Sequence, residues 1–90
     1  MRNEFDGAKR FCNALSIEYS PKRVEELINA LEPRLRLVLA LRFGLCDLEF
    51  ELEESEFPRT LHEIAGLLNL SVERVRQLEA IGISQLENLL

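Results

Sequence analysis

Ninety residues with eleven lysines and arginines against sixteen aspartates and glutamates carry a net charge of −5, which withholds the global attraction to a polyanion that nucleic-acid binders commonly have. So short a chain supports one modest core, and dominant aliphatic residues with no tryptophan argue against a sheet protein and for an all-α fold. No apolar stretch approaches the ~20 residues of a membrane span, and MRNEFDGAKRF lacks the apolar core of a secretion signal. The expectation is a soluble, cytoplasmic protein. Cys12 and Cys46 are far apart and fit no CxxC or Cys/His spacing, so both are expected as reduced thiols rather than a disulfide.

In chain order, Phe5, Ala8, Cys12 and Leu15 recur at intervals of three and four and predict a first helix to about residue 16, with Gly7 blurring its start. Ser20 as N-cap and Pro21 at the first helical position open a second helix, whose Val24, Leu27, Ile28 and Leu31 share a face. Pro33 cannot extend that helix but suits the first turn of a third, PRLRLVLALRF, which Gly44 ends. The next segment, DLEFELEESE at 47–56, alternates apolar and acidic residues. It predicts either an acidic loop whose apolar side chains lie back on the helices or an extended edge that pairs with a partner or second copy. With Thr60 as N-cap and Glu63 three residues on, the sequence matches a capping box, so a fourth helix starts near 61. Asn69 tolerates the left-handed backbone of a sharp turn, and Ser71 caps the last helix. Within that helix Gly82, followed by a Ser84/Glu87 pair in capping-box spacing, allows a kink or restart.

The last two helices meet the demands of a helix-turn-helix: small Ala65 where backbones approach, adaptable Asn69 in the turn, and Ile64, Leu68, Leu70, Val75 and Leu78 where the helices face each other. The domain organisation expected is a single helical unit, 1–90. It divides into an N-terminal helix (1–19), a helix pair (20–45), an acidic loop (46–58) and the helix-turn-helix (60–90).

Two segments, LEPRLRLVLALRFGL (31–45) and TLHEIAGLLNLSVERVRQLEA (60–80), are similar to region 4 of the sigma-70 family of bacterial sigma factors. The first has that family's Pro-Arg opening and Arg-Phe-Gly-Leu ending. The second matches its Thr-Leu-x-Glu-Ile-Ala and Glu-Arg-Val-Arg-Gln-Leu-Glu-Ala signatures. Residues 1–19 have no counterpart in the resemblance. The likeness implies recognition of a promoter −35 element and docking on RNA polymerase. It places the helix after Ser71 in the major groove with Glu73, Arg76 and Gln77 as base readers, a set whose chemistry suits cytosine, guanine and adenine edges. Arg42, Arg59, Arg74 and the helix starts at Thr60 and Ser71 would hold phosphates. The residues left for an apolar groove facing the polymerase β flap are Leu37, Leu41, Phe43 and Leu45. For Arg74 and Arg76 the plain alternative is a solvated pair bridging to Glu73, Glu79 or the acidic loop.

Departures from the family pattern matter. Val72 and Ile81 stand where the family usually has basic contacts, and IGISQLENLL replaces its basic continuation, so DNA affinity is expected to be weak outside a polymerase context. An alternative keeps the shape without DNA reading: a region 4 mimic that binds RNA polymerase or an anti-sigma factor, using Val72, Ile81, Leu86, Leu89 and Leu90 as added apolar surface. Ordinary core is the competing role for each of these side chains and the favoured one for Leu41 and Leu86. No catalytic set, cofactor site or metal site is expected. His62 is the only histidine, and the acidic run lacks the glycine turn and ligand spacing of a calcium loop. Whether the chain is a fragment of a longer factor or stands free is open, as is its oligomeric state.

Overall fold

The computed structural model describes residues 5–45 and 59–90, with side chains from Gly7 onward. Cys46 and the acidic run 47–56 lie outside the described residues, as does the side chain of Phe5. Within them the chain is all-α, with five helices: α1 Phe5–Ala14, α2 Pro21–Asn29, α3 Pro33–Phe43, α4 Leu61–Leu68 and α5 Val72–Leu89.

Local chemistry sets the starts. Ser20, Thr60 and Ser71 are extended N-cap residues whose hydroxyls accept from the backbone N–H groups of Arg23, Glu63 and Arg74, satisfying donors that a helix start leaves orphaned. The Thr60 box is reciprocal, since the Glu63 carboxylate accepts from the Thr60 N–H at 3.0 Å. Three ends share one device, a left-handed residue followed by an N–H that reaches back five residues. Ser16 (φ 58°) precedes Ile17 N–H to Cys12 O at 3.0 Å, Gly44 (φ 68°) precedes Leu45 to Ala40 at 3.0 Å, and Asn69 (φ 56°) precedes Leu70 to Ala65 at 2.9 Å. α2 ends at Asn29, two residues before the predicted Leu31, because Pro33 forces the chain to turn; Leu31 itself is buried.

α3 is the hub. Leu35, Val38, Leu39, Ala40 and Leu41 are buried on several sides of it, as expected of a helix surrounded by others. It packs against α1, α4 and α5, while α4 and α5 pack on each other and α1 also rests on α2. α1 contributes Phe11 and Cys12 to the core, with Leu15 following directly after it, and the Phe11 ring meets Phe43 edge-on, centroids 5.5 Å apart at 82°.

Two glycines that read locally as helix weakeners are explained by these contacts. Gly7 lies inside α1, and a Cβ there would stand 2.2 Å from the Phe43 carbonyl oxygen and 2.8 Å from that of Gly44. On α5, a Cβ at Gly82 would come within 3.0 Å of Leu39 Cδ1. The kink or restart that the sequence allowed at Gly82 and Ser84 does not form: α5 runs through both as one helix, roughly 27 Å long at 1.5 Å per residue. Close packing on α3 offsets the propensity cost of glycine.

Candidate nucleic-acid interface

The left-handed Asn69 ends α4, and Ser71 immediately caps α5, so the turn is short and both termini are satisfied within it. Val75, Leu78, Gly82 and Leu86 form the inward stripe of α5. The helical repeat then places Glu73, Arg76 and Gln77 away from that stripe, and all three are exposed. They sit in the first two turns, on the segment of α5 nearest the turn.

These side chains are paired with one another. The Arg76 guanidinium donates from Nε to a Glu73 carboxylate oxygen at 3.2 Å and from Nη2 to the same oxygen, and this contact raises the Arg76 pKa further. Arg74 donates to Gln77 Oε1 at 3.4 Å. The bridge expected as the alternative is therefore present for Arg76 with Glu73. Glu79 pairs instead with Arg42 of α3, at 3.3 Å.

That second pairing belongs to a latch that sequence spacing did not reveal. Arg42 Nη1 donates to the Arg59 carbonyl at 2.9 Å, the Arg59 N–H donates to the Leu41 carbonyl at 2.9 Å, and the Arg59 side chain bridges to Glu63 at 3.4 Å. Arg42 and Arg59, assigned to phosphate by the resemblance, thus tie α3 to the start of α4 and to α5. The Thr60 and Ser71 oxygens are engaged as caps, accepting from the N–H groups of Glu63 and Arg74.

Of the apolar set, Leu41 and Leu45 are core residues, 1% and 4% exposed; α1, α4 and α5 surround α3, so neither side chain reaches a groove surface. Leu37 and Phe43 are half-buried at the core's edge. Leu86 is likewise core, the role favoured for it over added partner surface, whereas Ile81, Leu89 and Leu90 are exposed and Val72 is half-buried. Among the described residues no three His, Cys, Asp or Glu groups cluster as a metal site, Cys12 is buried, His62 is exposed, and no helix is long and apolar enough to cross a membrane.

The family model for sigma-70, region 4 matches residues 27–88. The chain belongs to that family. Region 4 relatives bear this out. RNA polymerase sigma factor RpoD of Helicobacter pylori is 39% identical over 66 residues, 73% of this chain and 9% of the relative. RNA polymerase principal sigma factor HrdC of Streptomyces coelicolor is 40% identical over 63 residues, 70% of this chain and 16% of the relative. The chloroplastic RNA polymerase sigma factor sigD of Arabidopsis thaliana is 36% identical over 72 residues, covering 80% and 15%. The chain thus spans less than a fifth of the length of these relatives. No solved structure matches it. The region 4 match begins within α2, so all of α1 precedes it.

The capping box gives this region 4 module a pH signature. Glu63 has its pKa lowered, first by the Thr60 backbone N–H and then by the Thr60 hydroxyl contact, with Arg59 adding to both. The folded chain therefore holds this proton less tightly than the unfolded chain does. The contribution to stability is full above the unfolded carboxylate value and is lost as pH falls through the lower folded value. A carboxyl-carbon NMR titration is expected to give Glu63 a lower midpoint in the folded chain than in urea; equal midpoints would contradict the box.

Proposed function

We propose that this chain is a transcription module that places α5 in the major groove of a promoter −35-type element while docked on RNA polymerase. The observation that carries the proposal is the capped α4–Asn69–α5 unit, presenting Glu73, Arg76 and Gln77 together on the exposed face of a sigma-70 region 4 domain. Arg76 forks onto guanine, Gln77 onto adenine, and Glu73 accepts from cytosine. Binding requires Arg76 to exchange part of its contact with Glu73 for a base edge. Arg74 and the helix starts at Thr60 and Ser71 supply phosphate contacts, with Arg42 and Arg59 assisting from the latch. Leu37 and Phe43, half-buried at the core's edge, are the two of the apolar set that remain for polymerase, and the β flap is the partner proposed.

Beyond Arg76 the sequence has no lysine or arginine, so the hold on phosphate is short. With about three or four phosphate contacts, affinity falls only about 40- to 150-fold between 50 and 200 mM salt, against 10³- to 10⁵-fold for a domain with six to ten. Fluorescence anisotropy of a labelled −35-type duplex tests this. Saturable, salt-weakened binding is expected, with Arg76→Ala and Gln77→Ala each losing about 1–3 kcal/mol of discrimination at its base. Binding that ignores both substitutions would remove the reader assignment.

The net charge of −5 and the exposed Ile81, Leu89 and Leu90 favour a second reading, a region 4 mimic that binds polymerase or an anti-sigma factor without reading DNA. Complete lack of DNA binding at low salt, with polymerase binding retained, would select it.

A further inference from the structure

α1 precedes the residues that match the region 4 family, yet it is inserted deeply. Ala8, Phe11, Cys12 and Leu15 lie at i, i+3, i+4 and i+7, with the last three buried and Ala8 packed against the core. This is the anchor spacing by which an amphipathic helix occupies a hydrophobic groove. The groove runs along α2 and across the C-terminal end of α3, where missing side-chain bulk at Gly7 lets the α1 backbone approach the Phe43 and Gly44 carbonyls. Phe11 stands edge-on against Phe43, the side chain assigned above to polymerase.

We propose that α1 is an intramolecular occupant of the partner groove, a gate that must leave before an amphipathic helix of the polymerase, with apolar anchors at the same spacing, can reach Phe43. The inference rests on the polymerase-docking reading above. Two physical features make the exchange feasible. A helix of ten residues is marginal in water by itself, so α1 loses its structure once undocked and does not reseat as a rigid body. The chain from Ser16 to Ser20 keeps it tethered, so reclosure is intramolecular and fast compared with partner encounter. The apparent affinity for polymerase is then the intrinsic affinity reduced by the fraction of chains with α1 undocked.

Cys12 reports the position of the gate, because it lies on the inward face of α1 and is 1% exposed. In the full chain carrying Cys46→Ser it is the sole thiol, and its rate of reaction with an aromatic disulfide reagent measures undocking. We expect slow reaction alone and a rate at least about tenfold higher with saturating bacterial core RNA polymerase, because binding selects the open state. Gly7→Ala forces a Cβ against two backbone oxygens. It is expected to speed the reaction without polymerase and to bind polymerase at least about tenfold more tightly, as the open fraction rises. If polymerase binds while Cys12 stays protected, and Gly7→Ala binds no more tightly, α1 is not a gate although the docking reading survives. If neither chain binds polymerase, the docking reading fails and the gate fails with it. Should Gly7→Ala not fold, as judged by helical circular dichroism, Cys12 protection in the Gly7 chain under polymerase titration decides the matter alone.

Discussion

Leu39→Ala is expected to lower the unfolding free energy by about 2–5 kcal/mol, the range for deleting a buried leucine side chain into a cavity. The upper part of that range applies. Leu39 is fully buried on the central helix α3, and its Cδ1 packs where α5 has only the backbone of Gly82. A cavity there cannot be filled from the α5 side without moving the whole helix, since Gly82 has no side chain to reorient. At roughly 0.05–0.15 kcal/mol per residue, a 90-residue chain has about 4–13 kcal/mol in total, so this one substitution removes a large share. Urea unfolding followed by circular dichroism should show a lower midpoint with an unchanged slope. A loss under about 1 kcal/mol, below the range for such cavities, would mean that α5 does not depend on this contact. The expectation also has a functional edge, because α5 carries Glu73, Arg76 and Gln77.

What the sequence made legible was local. Ser20, Thr60, Glu63 and Ser71 announce helix starts because their side chains act on backbone groups three residues away, and Asn69 announces a turn because it tolerates the left-handed backbone found there. Such contacts survive reading in one dimension. The glycines show where that reading stops. Gly7 blurred the start of a helix and Gly82 suggested a kink, since glycine signals backbone freedom when only neighbours in sequence are considered. Each in fact marks a close approach to α3, a contact between residues more than thirty positions apart. Apolar pattern alone likewise could not separate groove from core along α3 and just past its end: Leu37, Leu41, Phe43 and Leu45 are all apolar, and burial of Leu41 and Leu45 follows from how the other helices surround them. For the candidate interface, helical spacing was enough to group Glu73, Arg76 and Gln77 on one side of α5. It could not find the Arg42–Glu79 latch, which joins separate helices.

The acidic balance leads to a gain-of-function expectation. Val72 and Ile81 occupy positions where the region 4 resemblance expects basic contacts, and they lie on α5 with its reader face between them. In the combined Val72→Arg and Ile81→Lys variant, two new phosphate contacts should raise DNA affinity about 60-fold at 0.1 M salt relative to the unmodified chain, because each contact contributes near 0.9 in the slope of log K on log salt. The salt slope itself should steepen by about 1.8. The two sites are not equivalent. Ile81 is 40% exposed, so a lysine there keeps its charge in water at little cost. Val72 is half-buried in the first turn of α5, where the positive end of the helix dipole opposes a cation by about 0.3–1 kcal/mol. Ile81→Lys alone should therefore deliver the larger part of the gain, with the steeper slope as its signature. A rise in affinity without a steeper slope would have to come from something other than phosphate. An unchanged affinity in both variants would mean that this face of α5 does not approach DNA, and the weight would pass to the protein-binding reading of the same domain.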